Sequence, residues 1–128
     1  MSTQTLRLLV AGALFVHGIG HSLGYFKPAK SWLLSFLGEP ALRVSANVLW
    51  TVAGLGFVLS CLAFIGFVVP VDWWRPLAII FAVISLLGLV VFIGNWPIFN
   101  TVGAIGFNVV VLAALLWKHW PPVELFGG

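Results

Sequence analysis

Charged residues are the main shortage in this sequence. Only 7% of its 128 residues are charged, six of them basic and three acidic, whereas about 25% is usual in soluble domains. Hydrophobic residues make up 62% of the chain, so a soluble fold of this size would expose large apolar patches and aggregate. The shortage excludes an ordinary water-facing surface and indicates a protein that lies in lipid.

Residues and motifs that commonly carry chemistry are also scarce. The sequence has no Gly-rich phosphate loop, no Gly-x-Ser-x-Gly turn and no His-Glu-x-x-His zinc motif. Its single cysteine, Cys61, cannot form a disulfide within the chain. The basic residues form no cluster of the kind that binds nucleic acid. The sequence therefore indicates no reaction, and we expect no catalytic residues and no nucleic-acid partner.

Long apolar stretches are abundant instead. A helix needs roughly 20 apolar residues to cross a bilayer, and four stretches meet this need, at about 6–26, 42–69, 77–94 and 98–117. They occupy most of the chain and leave no room for a soluble domain. We therefore predict an all-α fold, an integral membrane bundle of four transmembrane helices that forms a single domain over residues 1–128.

A shorter apolar segment, 29–38, lies between the first two stretches. Its residues Trp32, Leu33, Phe36 and Leu37 have helical spacing, but the segment is too short to cross a bilayer as a helix. We predict a short amphipathic helix on the membrane surface, with Trp32 among the lipid headgroups.

The orientation in the membrane depends on the charges near the helix ends. Four crossings place both termini on the same side. The basic residues divide equally between the two sides: Arg7, Arg75 and Lys118 with the termini, and Lys27, Lys30 and Arg43 opposite. The positive-inside rule therefore favours neither orientation. We place the termini in the cytoplasm because two acidic residues, Asp72 and Glu124, would accompany them.

A few polar residues lie within the apolar stretches, where a polar group without a partner costs free energy. His17 and His21 are four residues apart and therefore share one face of the first helix. The second and fourth helices both start on the side of the membrane where His21 lies, so we predict two polar layers. The first layer contains His21, Asn47, Thr51 and Asn100, and the second contains His17 and Asn108.

Three roles for the two histidines remain open. They donate hydrogen bonds that join helices, they bind the head of a quinone or another lipid in a small pocket, or they hold a metal ion. A stable metal site usually needs a third or fourth ligand, and the pattern supplies none, so we expect no metal at His17 and His21. A haem would need them on opposite sides of its iron, whereas both lie on one helix.

Glycines predict where the helices approach one another. Apolar side chains gain little by meeting in lipid, so close contact between helix backbones matters more. The first helix contains Gly20 and Gly24, the second contains Gly54, and the fourth contains Gly103. We predict tight helix packing at these four positions.

The first helix also resembles a known family. The residues Arg7-Leu-Leu and Leu14-Phe15-Val16-His17-Gly18 resemble the opening helix of the DoxX-like family of small bacterial four-helix membrane proteins. That family often has a basic residue a few positions after His-Gly, and His21 stands there in this sequence. The resemblance covers the first helix and the overall four-helix length. Some members resemble subunits of a thiosulfate:quinone oxidoreductase, so the resemblance implies a bacterial cytoplasmic membrane and a quinone- or redox-linked role. It carries over no catalytic residue.

Three functions follow as hypotheses. The leading one is a non-catalytic subunit that packs against, or helps to assemble, a larger membrane complex, because the chain is small and lacks catalytic groups. The alternative is a quinone- or lipid-binding, redox-linked protein with His17 and His21 at its pocket. The third is a small transporter, which would have to form oligomers because four helices leave little room for a pathway. The expected partners are membrane lipid and either other membrane subunits or further copies of this chain.

Overall fold

The computed structural model describes residues 1–126, and all regular structure in this part of the chain is helical. Three short helical turns extend the long helices. Two of them are 3-10 turns: one follows the first helix, at His21–Phe26, and one precedes the third, at Val71–Trp73. The other is a π-helical turn that follows the fourth helix, at Ala113–Trp117. The helices are α1 (Thr3–Gly20), α2 (Glu39–Phe64), α3 (Trp74–Val91), α4 (Ile98–Leu112) and α5 (Val123–Phe126). Together with the turns, the first four are 20 to 26 residues long and apolar enough to cross a membrane. The prediction of an all-α bundle with four such helices is confirmed.

Helix α2 ends earlier than the predicted Val69 because the chain turns sharply after Phe64. Gly66 has a φ of +72°, in the left-handed region that favours glycine. Its N–H donates to the Ala63 carbonyl at 2.9 Å, and the Phe67 N–H donates to the Leu62 carbonyl at 2.8 Å. This pair of bonds is a Schellman motif, which satisfies the last helical carbonyls and stops the helix.

Helix α3 is shifted toward the N-terminus relative to the predicted stretch 77–94. It begins at Trp74 because Pro76 lies in its first turn, where the missing N–H removes no helical hydrogen bond. It ends at Val91, three residues before Gly94, which has a φ of +93°. The loop between α3 and α4 is therefore longer than expected.

Residues 27–38, which we call the strap, do not form the predicted interfacial helix. The strap consists of bends and one turn. Its donors reach the end of α3: Ser31 Oγ donates to the Val91 carbonyl at 2.7 Å, and Trp32 Nε1 donates to the Val90 carbonyl at 2.8 Å. The Lys30 N–H donates to Asn95 Oδ1 at 2.9 Å. The last carbonyls of a helix need partners from outside it, and the hydrogen bonds from Ser31 and Trp32 hold the strap across the end of α3.

The four long helices pack in chain order, α1 on α2, α2 on α3 and α3 on α4. Helix α2 is central, with 50% of its most apolar stretch buried, against 17% for α1 and for α4. At one end the core contains Phe57, Phe64 and Trp74. At the other end, under the strap, it contains Trp50 and Phe92. Helices α1 and α4 have few contacts with each other, so the bundle is open along their shared edge.

Candidate functional site

A chain of hydrogen bonds between polar side chains crosses the middle of the bundle. Asn108 Nδ2 on α4 donates to Ser85 Oγ on α3 at 2.8 Å. Ser85 Oγ lies 3.0 Å from His21 Nε2, just beyond α1. All three residues are buried, with exposures of 0% for Asn108 and Ser85 and 4% for His21. Three helical segments are thus tied together in a region where an unpaired polar group would be costly.

His21 is the third member of this chain of hydrogen bonds. Asn108 Nδ2 can only donate, so Ser85 Oγ accepts from it. A hydroxyl oxygen has two acceptor lone pairs and one hydrogen, so Ser85 Oγ either donates to His21 Nε2 or accepts from it, according to which ring nitrogen of His21 carries the proton. In both cases the bond joins His21 to α3.

His17 lies one helical turn away and is not engaged in this way. Its ring stacks on Phe107 of α4, with a centroid separation of 4.2 Å, and meets Phe57 of α2 edge-on at 4.7 Å. The Asn108 side chain lies within hydrogen-bonding reach of His17, but His17 Nε2 and Asn108 Oδ1 are both buried and form no hydrogen bond of regular geometry with a described residue. The aromatic rings hold the imidazole in place beside Asn108.

A groove of about 480 Å³ lies between α1 and α4, next to His17. We call it the lateral groove. Its polar lining comes from His17, His21, Asn100 and Trp96, and the rest of its lining is small or apolar. Trp96 also lines the groove, and its Nε1 is buried with no hydrogen-bond partner among the described residues. Two residues of the groove wall, His17 and Trp96, thus have ring nitrogens that lie buried behind its surface without a regular hydrogen bond.

The lateral groove opens sideways, toward the space that lipid would occupy. Its rim includes three large apolar side chains with high exposure: Val16 at 69%, Leu23 at 52% and Phe99 at 86%. In a four-helix protein of this composition, such side chains face hydrocarbon.

The predicted layer of His21 with Asn47, Thr51 and Asn100 is brought together only in part, because His21 and Asn100 both line the lateral groove, whereas the other two do not. Thr51 Oγ1 donates to the Asn47 backbone carbonyl at 2.7 Å and shares a hydrogen bond with the Tyr25 hydroxyl. Helix α2 turns a different face toward His21, on which Trp50 stacks at 5.7 Å. Because Trp50 fills the space beside His21, Asn47 and Thr51 lie on the flank of α2, whereas Asn100 lines the lateral groove.

The second predicted layer, His17 with Asn108, is brought together. The Asn108 side chain lies within hydrogen-bonding reach of His17, and its amide nitrogen also donates to Ser85. The histidine rings are 4.9 Å apart and edge to face. Within residues 1–126, no cluster of three or more His, Cys, Asp or Glu residues includes them.

The four predicted packing glycines divide into two pairs. A Cβ built on Gly54 would lie 2.8 Å from the Gly18 carbonyl oxygen, and one on Gly24 would lie 2.5 Å from the Trp50 ring. A Cβ on Gly20 or Gly103 would meet no atom within 4 Å. The structure therefore places Gly20 and Gly103 on the wall of the lateral groove and not at a helix contact, and Gly18 takes the close position on α1.

Ser85 and Trp96 are residues of the candidate site that the sequence did not predict. Ser85 is the single polar residue in the stretch 77–94, so the argument that drew attention to the histidines applies equally to it. Trp96 lies in the turn before α4 and has the position of an interfacial anchor. The Trp96 ring packs against Trp50, with 5.7 Å between ring centroids, and this contact directs the Trp96 side chain toward the groove.

Comparisons with protein-family models, with curated proteins and with solved structures return no match. The resemblance of the first helix to the DoxX-like family therefore stays a prediction.

Proposed function

We propose that this protein binds a membrane-soluble ligand in the lateral groove, with the head of the ligand at His17 and Trp96. The observation that carries the proposal is that two residues of the groove wall, His17 and Trp96, each have a buried ring nitrogen that forms no hydrogen bond of regular geometry with a described residue. A buried polar group left in this condition costs roughly 1–3 kcal/mol. A ligand head in the groove would recover much of that free energy if the two rings rotate to bring these nitrogens to its surface.

The size and lining of the groove indicate the ligand class. Its volume of about 480 Å³ lies within the roughly 300–1,000 Å³ that is usual for small-molecule sites. An indole N–H can only donate, so Trp96 requires an acceptor oxygen on the ligand. None of the described lining residues is Asp, Glu, Lys or Arg, which favours a neutral head. A quinone carbonyl, or the carbonyl or hydroxyl of a neutral lipid, meets these requirements.

Paired substitutions of tryptophan test the proposal. Protein in phosphatidylcholine nanodiscs would be titrated with 2,3-dimethoxy-5-methyl-1,4-benzoquinone bearing a ten-carbon chain, and occupancy would be read by native mass spectrometry. Trp96→Phe keeps the ring but removes the donor, and His17→Phe does the same at the imidazole. We expect each to weaken binding at least tenfold. Trp117→Phe is the matched control, because Trp117 is 74% exposed and outside the groove. Equal binding by all the variants would contradict the proposal.

A role as a non-catalytic subunit of a larger membrane complex is the second candidate. It is favoured by the low burial of α1 and α4, 17% each, on the two helices that flank the groove. A helix from a partner, or from a second copy of this chain, would cover that face. Extraction in mild detergent followed by native mass spectrometry should then return a stoichiometric partner subunit. Recovery of the free monomer alone would count against this role.

We also propose that the protein resides in a bacterial cytoplasmic membrane with both termini in the cytoplasm. Four spanning helices would return the chain to its starting side. The basic residues give no preference, and the orientation follows from the two acidic residues Asp72 and Glu124.

A further inference from the structure

A second cavity, of about 130 Å³, continues the lateral groove along the edge between α1 and α4. We call it the apolar cavity. Ala13 and Phe107 line both spaces, which are therefore neighbours. Phe107 is also the ring on which His17 stacks. The wall that the two spaces share therefore lies beside the imidazole of His17.

The lining of the apolar cavity differs from that of the lateral groove. Its side chains are aliphatic or aromatic, and Trp74, Trp120 and Pro121 form its far end. The π-helical turn Ala113–Trp117 contributes Ala114 and Leu115 to the wall. With no polar side-chain partner beyond the indole rings, such a space suits hydrocarbon and offers nothing to a second polar head.

The dimensions of the two spaces limit the kind of ligand that can fill both. Helix α4 and its π turn rise about 16 Å between Gly103 in the groove and Ala114 in the cavity, at 1.5 Å per residue. A volume of about 130 Å³ is roughly four times the 30 Å³ that one water molecule occupies. That space takes the end of one hydrocarbon chain, whereas a helix, about 10 Å wide, does not fit. A phospholipid would bring a second chain and a phosphate, and no described Lys or Arg lines either space.

We infer that the ligand is a neutral amphiphile with a single chain, whose head lies at His17 and Trp96 and whose chain passes Phe107 to end beside Ala114. This inference rests on the proposed function and adds the shape and direction of the ligand. The head faces the strap end of the bundle, and the chain points to the end where Trp74 and Trp120 lie.

A photoreactive chain tests the inference. The probe is the same dimethoxybenzoquinone with a ten-carbon chain that ends in a diazirine, added to protein in phosphatidylcholine nanodiscs. After irradiation, the labelled residues are located by top-down mass spectrometry. We expect the label within residues 110–121 and on the facing part of α1. Ala114→Phe, which fills the apolar cavity, should reduce labelling there at least fivefold. Val109→Phe is the matched control, since Val109 is 49% exposed and lines neither space.

The outcomes separate this inference from the proposed function. An excess of the same quinone without a chain should displace the probe by occupying the head site. If it does so while the label falls near Leu23 and the strap, or while Ala114→Phe has no effect, the chain runs elsewhere and the inference fails alone. If the chainless quinone displaces nothing and His17→Phe labels as strongly as the unmodified protein, both proposals fail. Ala114→Leu, a smaller change, replaces Ala114→Phe if that variant does not fold.

Discussion

Helix α1 meets α2 and α4 along two edges that both contain glycine, and the two edges differ in how closely the helices approach. Toward α2, Gly18 and Gly54 bring the backbones together, and a Cβ on either would lie within 3 Å of the other's carbonyl oxygen. Toward α4, Gly20 and Gly103 face open space. Glycine in these membrane helices thus occurs in two settings: it permits backbone contact toward α2, and it borders open space toward α4.

The polar side chains also differ in their hydrogen bonds. In the interior of the bundle, His21, Ser85 and Asn108 are joined by hydrogen bonds. At the groove, His17 Nε2 and Trp96 Nε1 form no hydrogen bond of regular geometry with a described residue. The first set joins helices, and the second is where we propose that a ligand binds. The contrast between His21 and His17, one turn apart on the same chain segment, is the clearest case.

The largest expected effect on stability comes from the edge between α1 and α2, where the helix backbones are in contact. Gly54→Ala puts a methyl group against the Gly18 carbonyl oxygen, and backbone cannot move aside as a flexible side chain can. We expect a loss of about 1–3 kcal/mol in the free energy of unfolding, the usual range for overpacking. Equilibrium unfolding in mixed SDS and detergent micelles measures it. Gly103→Ala is the control and should stay within about 0.5 kcal/mol, as is usual for a substitution that meets no neighbour. Equal losses at both glycines would mean that the two edges do not differ.

A smaller effect is expected from Ser85→Ala, which removes the link between Asn108 and His21. Hydrogen bonds between membrane helices contribute about 0.6 kcal/mol each on average, so the loss of two should lower the free energy of unfolding by about 1 kcal/mol. The same unfolding assay applies. Ser22→Ala is the control, because Ser22 is exposed and donates only to the Ile19 carbonyl of its own helix. No difference between the two serine variants would show that this link does not stabilise the bundle.

Ser85→Ala also sharpens the distinction between structural and ligand-binding histidines. If His21 is structural and His17 binds the ligand, quinone occupancy in nanodiscs should change little in Ser85→Ala protein that remains folded. A tenfold loss, as expected for His17→Phe, would instead place His21 and Ser85 in the binding site.

Several elements of the fold were predictable because they depend on local sequence. The four spanning helices follow from the length and hydropathy of four stretches, and the bounds of the fourth, 98–117, agree with the combined α4 and π turn. The end of α2 was misplaced because a left-handed Gly66 stops a helix within a stretch that is still apolar. The strap was predicted as a helix from the helical spacing of apolar residues in a ten-residue segment. The structure instead uses Ser31 and Trp32 as hydrogen-bond donors to the last carbonyls of α3, and this interaction outweighs the weak helical preference of so short a segment.

The identity of the important polar residues could also be inferred, but their pairing could not. Composition and position by themselves determined that the chain forms four apolar helices and that His17, His21 and Asn108 lie within them. Only the tertiary structure decided that His21 bonds to Ser85, that Asn47 and Thr51 lie apart from it, and that His17 faces a groove. The physical reason is that the rotation of a helix about its axis depends on the side chains of all its neighbours. Here the bulk of Trp50, packed against Gly24 and His21, sets which face of α2 is turned inward.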